Sequence, residues 1–336
     1  NSNPNAIKVV ATRSSANSNP VPTMLLRFAG FESWNIASYS IAYRSQTSCE
    51  TADIQSNGQV SFTSNNDFYN SFCIAAQSIS LNNNNYFDND NRIQVPDLDD
   101  VSLPGSSGFS TSVGRGTDDS SSSLTYADIF EVKPDLAAAY SADIATVATN
   151  YLDPSWDGQP AYVNTSAAVI SVAAKNVKYT WFIPGRIYNV SCGGGDGNKA
   201  QIYSGAVLSE VVIVSDCKIQ IGSSAVLTDV VLVSADTSNK SVYAASKVQL
   251  GADDDCAEGG EVKVFAAGDF DSAAKLETYG VTISAIGNVN IAGQTDGIAG
   301  LDIFANGDVS FSAQASLGVC SGGQTGTLAD VYSLVQ

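Results

Sequence analysis

Over most of the chain, apolar and polar residues alternate for a few positions and are then broken by Gly, Asn, Asp or Ser. Short half-buried strands joined by tight turns read this way. Val262, Val264 and Ala266 fall on one side of such a strand, and Glu261, Lys263 and Phe265 on the other. Lys218-Ile-Gln-Ile221 and Lys247-Val-Gln-Leu250 alternate in the same way. The strands recur at a short step. Ser204-Gly-Ala-Val-Leu-Ser-Glu-Val-Val-Ile-Val-Ser215 returns as Ser223-Ser-Ala-Val-Leu-Thr-Asp-Val-Val-Leu-Val-Ser234, an offset of 19 residues. Gly268-Asp269, Gly287-Asn288 and Gly307-Asp308 follow apolar runs at offsets of 19 and 20. Upstream, Val60-Ser-Phe62 and Ile79-Ser-Leu81, Asn65-Asn66 and Asn84-Asn85, Phe68 and Phe87, and Ile74 and Ile93 are each 19 apart.

Three short strands and three turns take up roughly 18–25 residues, so this period predicts one coil of a parallel β-helix. Leucine-rich repeats have a similar period, but their Leu-x-x-Leu-x-Leu-x-x-Asn frame is missing. Coils stack at about 4.8 Å, which turns equivalent positions into ladders. The repeated Asn pairs are expected to hydrogen-bond along the axis, and Gly and Asn suit corners that need a left-handed backbone. The predicted fold is therefore mainly β, a solenoid with coils of 19–20 residues.

Residues 1–48 lack the repeat. Ile7 to Thr12 alternates like a strand, Val21 to Phe28 predicts a short helix after Pro22, and Trp34 to Tyr43 predicts a second strand. This segment reads as a small α+β cap on one end of the solenoid. Residues 49–101 supply the first coils, and residues 102–180 read as an insertion opening with exposed loops around Pro104 and Asp118. Leu136, Tyr140, Ile144, Val147 and Tyr151 step by three or four after Pro134, which predicts a helix over 135–151. Residues 181–322 form the main solenoid, and 323–336 a C-terminal cap or tail.

The 336 residues are 44% hydrophobic, enough for a substantial core, and the net charge of −18 repels nucleic acid and anionic membranes. No run of about 20 apolar residues is present. The chain starts with Asn rather than Met, which suggests that a leader or anchor precedes it. Six cysteines, Cys49, Cys73, Cys192, Cys217, Cys256 and Cys320, lack Cys-x-x-Cys spacing and point to disulfides in an oxidising compartment. Pairing of sequence neighbours gives Cys49–Cys73 and Cys192–Cys217 and leaves Cys256–Cys320 across several coils; six free thiols are the alternative.

The absence of histidine removes Ser-His-Asp and Cys-His nucleophilic sites and His-ligated metals together. No arginine follows Arg186, so the long C-terminal solenoid lacks the arginine base that some β-helix polysaccharide lyases use. Asp216, Asp229, Asp236, Asp269 and Asp308 sit at turn-like positions, where corner chemistry outweighs a catalytic pair. No catalytic residue is assigned. Asp253, Asp254, Asp255 and Glu258 form the densest acidic cluster, a solvated loop or a Ca²⁺ site. No other cofactor is expected. Trp34, Trp156 and Trp181 lie outside the repeats and read as packing between cap, insertion and solenoid rather than as a sugar platform.

Val21-Pro-Thr-Met-Leu-Leu-Arg-Phe-Ala-Gly-Phe31, Tyr39-Ser-Ile-Ala-Tyr-Arg44, Phe72-Cys-Ile74, Leu81-Asn-Asn-Asn-Asn-Tyr-Phe87 and Val95-Pro-Asp-Leu-Asp-Asp100 occur in this order. Pro184-Gly-Arg-Ile-Tyr188, Val214-Ser-Asp-Cys217 and Asp254-Asp-Cys-Ala-Glu-Gly-Gly260 follow them. Together these segments resemble pilus-assembly proteins of the Tad (Flp) type. That resemblance implies a minor-pilin-like protein, held by an N-terminal membrane helix and exposed outside the inner membrane. This chain lacks such a helix, so any membrane link runs through a segment absent from it.

The expected function is a non-enzymatic subunit of a bacterial surface pilus or extracellular filament, at the cell surface or outside the cell. It would assemble with its own kind or with pilus components through the solenoid ends and the N-terminal segment. Ile7, Val9, Val10, Ala11 and Thr12 are the residues expected to exchange between subunits. An adhesin or carbohydrate-binding module and a polysaccharide-degrading β-helix enzyme are the competing readings.

Overall fold

The structure, a computed structural model, describes residues 6–19, 21–22, 33–48, 52–63, 65–69, 72–82, 85–87, 91–102, 113–115, 129–131, 143–193, 199–254, 257, 259–292, 295–312, 314–318 and 329–335. The chain divides into two units, Asn1–Glu50 with Leu328–Gln336, and Thr51–Thr327.

Both chain ends build the first unit. Ala6–Arg13 runs antiparallel to Ile36–Ser48, with Ile7 opposite Ala42 and Ala11 opposite Ser38. The other edge of Ile36–Ser48 takes up Ala329–Val335. Val21–Pro22 pairs with Ser33–Trp34. The only helical turn among the unit's described residues is 3₁₀, at Ser15–Asn17, and most of the helix expected over Val21 to Phe28 falls outside them. The C-terminal strand thus belongs to this sheet rather than to the solenoid, because a strand must pair its backbone groups and Ile36–Ser48 offers an edge.

The second unit is the expected parallel solenoid, a sheet of 23 strands whose pairings are all parallel. Alternation sets its core. Val262, Val264 and Ala266 are buried while Glu261 and Lys263 are exposed, and Ile219, Ile221, Val248 and Leu250 also point inward. One face runs through eleven strands: the inward residues Ile170, Tyr188, Ile213, Leu232, Val264, Ile283, Ile303, Ile54, Ile74 and Ile93 align, and Ile129 pairs in register with Ile93 at the end. In a neighbouring interior column of Leu208, Leu227, Leu250 and Leu317, the hydroxyl of Thr278 is buried without a hydrogen-bond partner among the described residues.

The coils do not stack in chain order. Ile303 pairs with Ile54, Val309 with Val60 and Leu317 with Phe68, so the last coil of the C-terminal arm lies on the first coil of the N-terminal arm. The N-terminal arm then leads away to Ile129–Glu131, and the chain re-enters the face at its opposite end with Ile170–Ala173. A ladder needs only matching register and apolar layers, and covalent sequence order is not part of either.

The helix Ile144–Leu152 begins at Asp143, whose carboxylate accepts the Ala145 N–H at 3.1 Å. The expected helix was longer, and residues 135–142 lie outside the described set. Ile144, Tyr151 and Val163 cover the outward side chains of Ile187, Val212, Val214, Val231 and Val233. That cover explains why Val211 to Val214 and Val230 to Val233 read as unbroken apolar runs: these strands are buried on both faces. Trp156 packs edge-on against Tyr151 with ring centres 5.0 Å apart. Trp181, in contrast, is 87% exposed and does not pack.

Candidate functional site

Polar side chains link the coils along the stack and across the seam between the two arms. At one corner, Asp269 Oδ1 accepts the Asn288 N–H at 2.8 Å, and Asn288 Oδ1 accepts the Asp308 N–H at 2.8 Å. Asp308 Oδ1 then accepts the Gln59 N–H at 2.8 Å, which carries the ladder across the seam. Each acceptor occupies the space that a Cβ on the glycine of the next coil would need: Asp269 below Gly287, Asn288 below Gly307 and Asp308 below Gly58. The Gly-Asx corner is therefore one stacking device used three times.

Inside the coils, the Asn66 side-chain amide donates to Asn85 Oδ1 at 2.7 Å, and Asn66 Oδ1 accepts the Ala315 N–H at 3.1 Å from across the seam. Asn66 and Asn85 thus hydrogen-bond along the axis as expected, while Asn84 lies outside the described residues. Phe62 stacks on Phe311 at 5.1 Å and Phe68 on Phe87 at 4.2 Å, while Asn57 donates to Asn306 at 2.8 Å.

On the outer face of the same seam lie Asp53 and Asp302, each just before one of the paired inward residues Ile54 and Ile303. Burial raises Asp53 to about 7, with the charge of Asp302 adding to the effect. The Cys73 N–H, donating to Asp53 Oδ2 at 2.6 Å, opposes that rise without cancelling it. Asp302 is raised to about 6, again chiefly by burial and then by Glu261. Asp302 thus ionises first, and its charge delays Asp53.

The residues singled out in the sequence do not converge on one place. Asp216 accepts the Cys192 N–H, Asp229 the Gly260 N–H and Asp236 the Ser238 N–H, so these carboxylates satisfy corner backbone as Asp269 and Asp308 do. Asp253 and Asp254 are exposed in a turn where Asp254 accepts the Ala257 N–H, while Asp255 and Glu258 lie outside the described residues. Cys192 and Cys217 form a disulfide as expected. With Asp216 they make the one potential metal-ligand cluster among the described residues, but the disulfide takes both thiolates. Cys73 is also disulfide-bonded, and Cys49, Cys256 and Cys320 lie outside the described residues. Ile7, Val9, Val10, Ala11 and Thr12 are paired with Ile36–Ser48 of their own chain.

Periodicity alone misses the seam. Its signal is a longer echo: Asn306-Gly-Asp-Val-Ser-Phe311 repeats Asn57-Gly-Gln-Val-Ser-Phe62 at an offset of 249 residues. The same echo takes in Asp53-Ile54 and Asp302-Ile303, also 249 residues apart, although the burial of the two carboxyls comes from the stacking order and not from local pattern.

Residues 54–321 match one family model, described as Domain of unknown function (DUF7867), and the match starts at the first residue of the first solenoid strand. No curated protein and no solved structure matches the chain.

Proposed function

We propose, from the premise that the chain belongs to the DUF7867 family through its solenoid, that it is a structural, non-enzymatic subunit of a bacterial surface pilus or extracellular filament. One observation carries this reading. The solenoid already joins coils that are not chain neighbours, through a backbone ladder, stacked phenylalanines and a shared Asx corner. Assembly between copies needs the same contacts and no others. The corner carboxylates are spent on backbone N–H groups, which leaves them structural work rather than chemistry. The Cys192–Cys217 bridge suits an oxidising compartment outside the cytoplasm. No helix among the described residues is long and apolar enough to cross a membrane. The edge strand Ala6–Arg13 supports the N-terminal segment as an exchange element, since it has a single partner strand among the described residues.

Electron microscopy of the purified chain over a concentration series, and of cells lacking it, tests the reading. Filaments in the first and altered surface appendages in the second are the expected results. Strict monomers together with unchanged appendages would overturn it.

A further inference from the structure

The two ends of the eleven-strand face are complementary. Ile170–Ala173 opens it and Ile129–Glu131 closes it, and each pairs with one strand only among the described residues. Both lie on the same face, run in the same direction and place an isoleucine at the ladder position, Ile170 at one end and Ile129 at the other. The end at Ile170 is also incompletely covered. The nine inward residues from Tyr188 to Ile93 are buried, whereas Ile170 and Val172 are only half-buried. A 3₁₀ helix, Ala174–Tyr179, plugs the adjoining part of that end with Ala174 and Val177, and beyond it Trp181 is 87% and Ile183 47% exposed. Val207, in the next coil, is 75% exposed.

We propose that a second copy of this chain covers this end. Its strand Ile129–Glu131 pairs in parallel with Ile170–Ala173, bringing Ile129 opposite Ile170 and Phe130 opposite Ser171. The inference rests on the filament reading and gives it a joint. A second copy is the occupant because the molecule already contains such a contact: the Ile54–Phe62 strand docks on Val309–Phe311 across 249 residues of chain, in register and in parallel. The proposed joint continues that same face in the same parallel register. It is heterologous and does not close on itself, so repetition gives an open filament. Eleven layers at about 4.8 Å each set an axial repeat of roughly 50 Å per subunit.

The test uses the full chain carrying Ser171→Cys and Phe130→Cys, polymerised and then oxidised. Within one copy these positions are ten layers apart, so a disulfide between them can only join two copies. The expected result is a ladder of covalent oligomers on non-reducing gels, with a repeat of roughly 50 Å in electron micrographs. Ile170→Lys puts a charge into the joint and is expected to move polymerisation to about tenfold higher protein concentration. Circular dichroism checks that this variant keeps its strands. Filaments that form without the cross-link and ignore Ile170→Lys would overturn this joint while leaving the filament reading intact. Monomers at every concentration would overturn both.

Discussion

Burial raises the proton affinity of a carboxyl group, and at Asp53 and Asp302 it is the largest influence on titration. A folded-state value above the unfolded one means that the folded protein binds the proton more tightly. The resulting stability is complete below the ordinary value of 3.8 and is lost as the pH rises through about 6 for Asp302 and about 7 for Asp53. The solenoid should therefore lose stability on the order of 6 kcal/mol between pH 4 and pH 8 from this pair. Self-repulsion of a chain with net charge −18 adds a background of the same sign. Asp302→Asn separates the two: it removes one titration and the charge that delays the other, so its stability should vary less with pH than that of the parent. Urea unfolding midpoints at pH 4, 6 and 8 measure the difference. Parallel curves for parent and variant would show that neither carboxyl is held as described.

Among the elements, the corners show what the sequence makes legible and what it hides. The period of 19–20 residues, the inward aliphatic residues and the Gly-Asx corners all follow from local pattern, because each depends on neighbours one coil away. Helix formation was legible from the spacing of Ile144, Val147 and Tyr151, but the apolar face it covers was not: Val212 and Val231 read only as part of long hydrophobic runs. The order of coils was hidden for a different reason. Periodicity states how far apart strands lie along the chain and is silent on which coil lies against which. Gly58 and Asp308 expose that order to experiment. Gly58→Ala pushes a methyl into the Asp308 carboxylate and should cost about 2 kcal/mol. Asp308→Ala removes the acceptor of the Gln59 N–H and should cost about 1 kcal/mol. Combined, they should cost clearly less than the sum, since the second change clears space for the first. Additive losses in denaturant unfolding would mean that these two coils are not stacked.

At the scale of the whole molecule, two arms built from local coils meet at one seam closed by contacts across 249 residues. Local coils gain their contacts at low loop-closure cost, whereas the seam must first bring distant parts of the chain together. In a stack of coils each layer depends on its neighbours, so protection should be greatest where a layer is covered on both sides. The seam layers, Ile54–Phe62 and Val309–Phe311, are covered in this way although they begin one arm and end the other. Native-state hydrogen exchange should accordingly place the amides of Val60 and Val309 in one opening unit, with free energies that rise and fall together. Ile170–Ala173 and Ile129–Glu131, each with one paired edge among the described residues, should exchange fastest on that face. Phe311→Ala, which empties the stack against Phe62, should lower the protection of both seam strands by about 3 kcal/mol. It should leave Val211 to Val214, several layers away, largely unchanged. Loss of protection in the C-terminal arm alone, with Val60 untouched, would separate the arms and remove the seam on which both the fold and its proposed assembly depend.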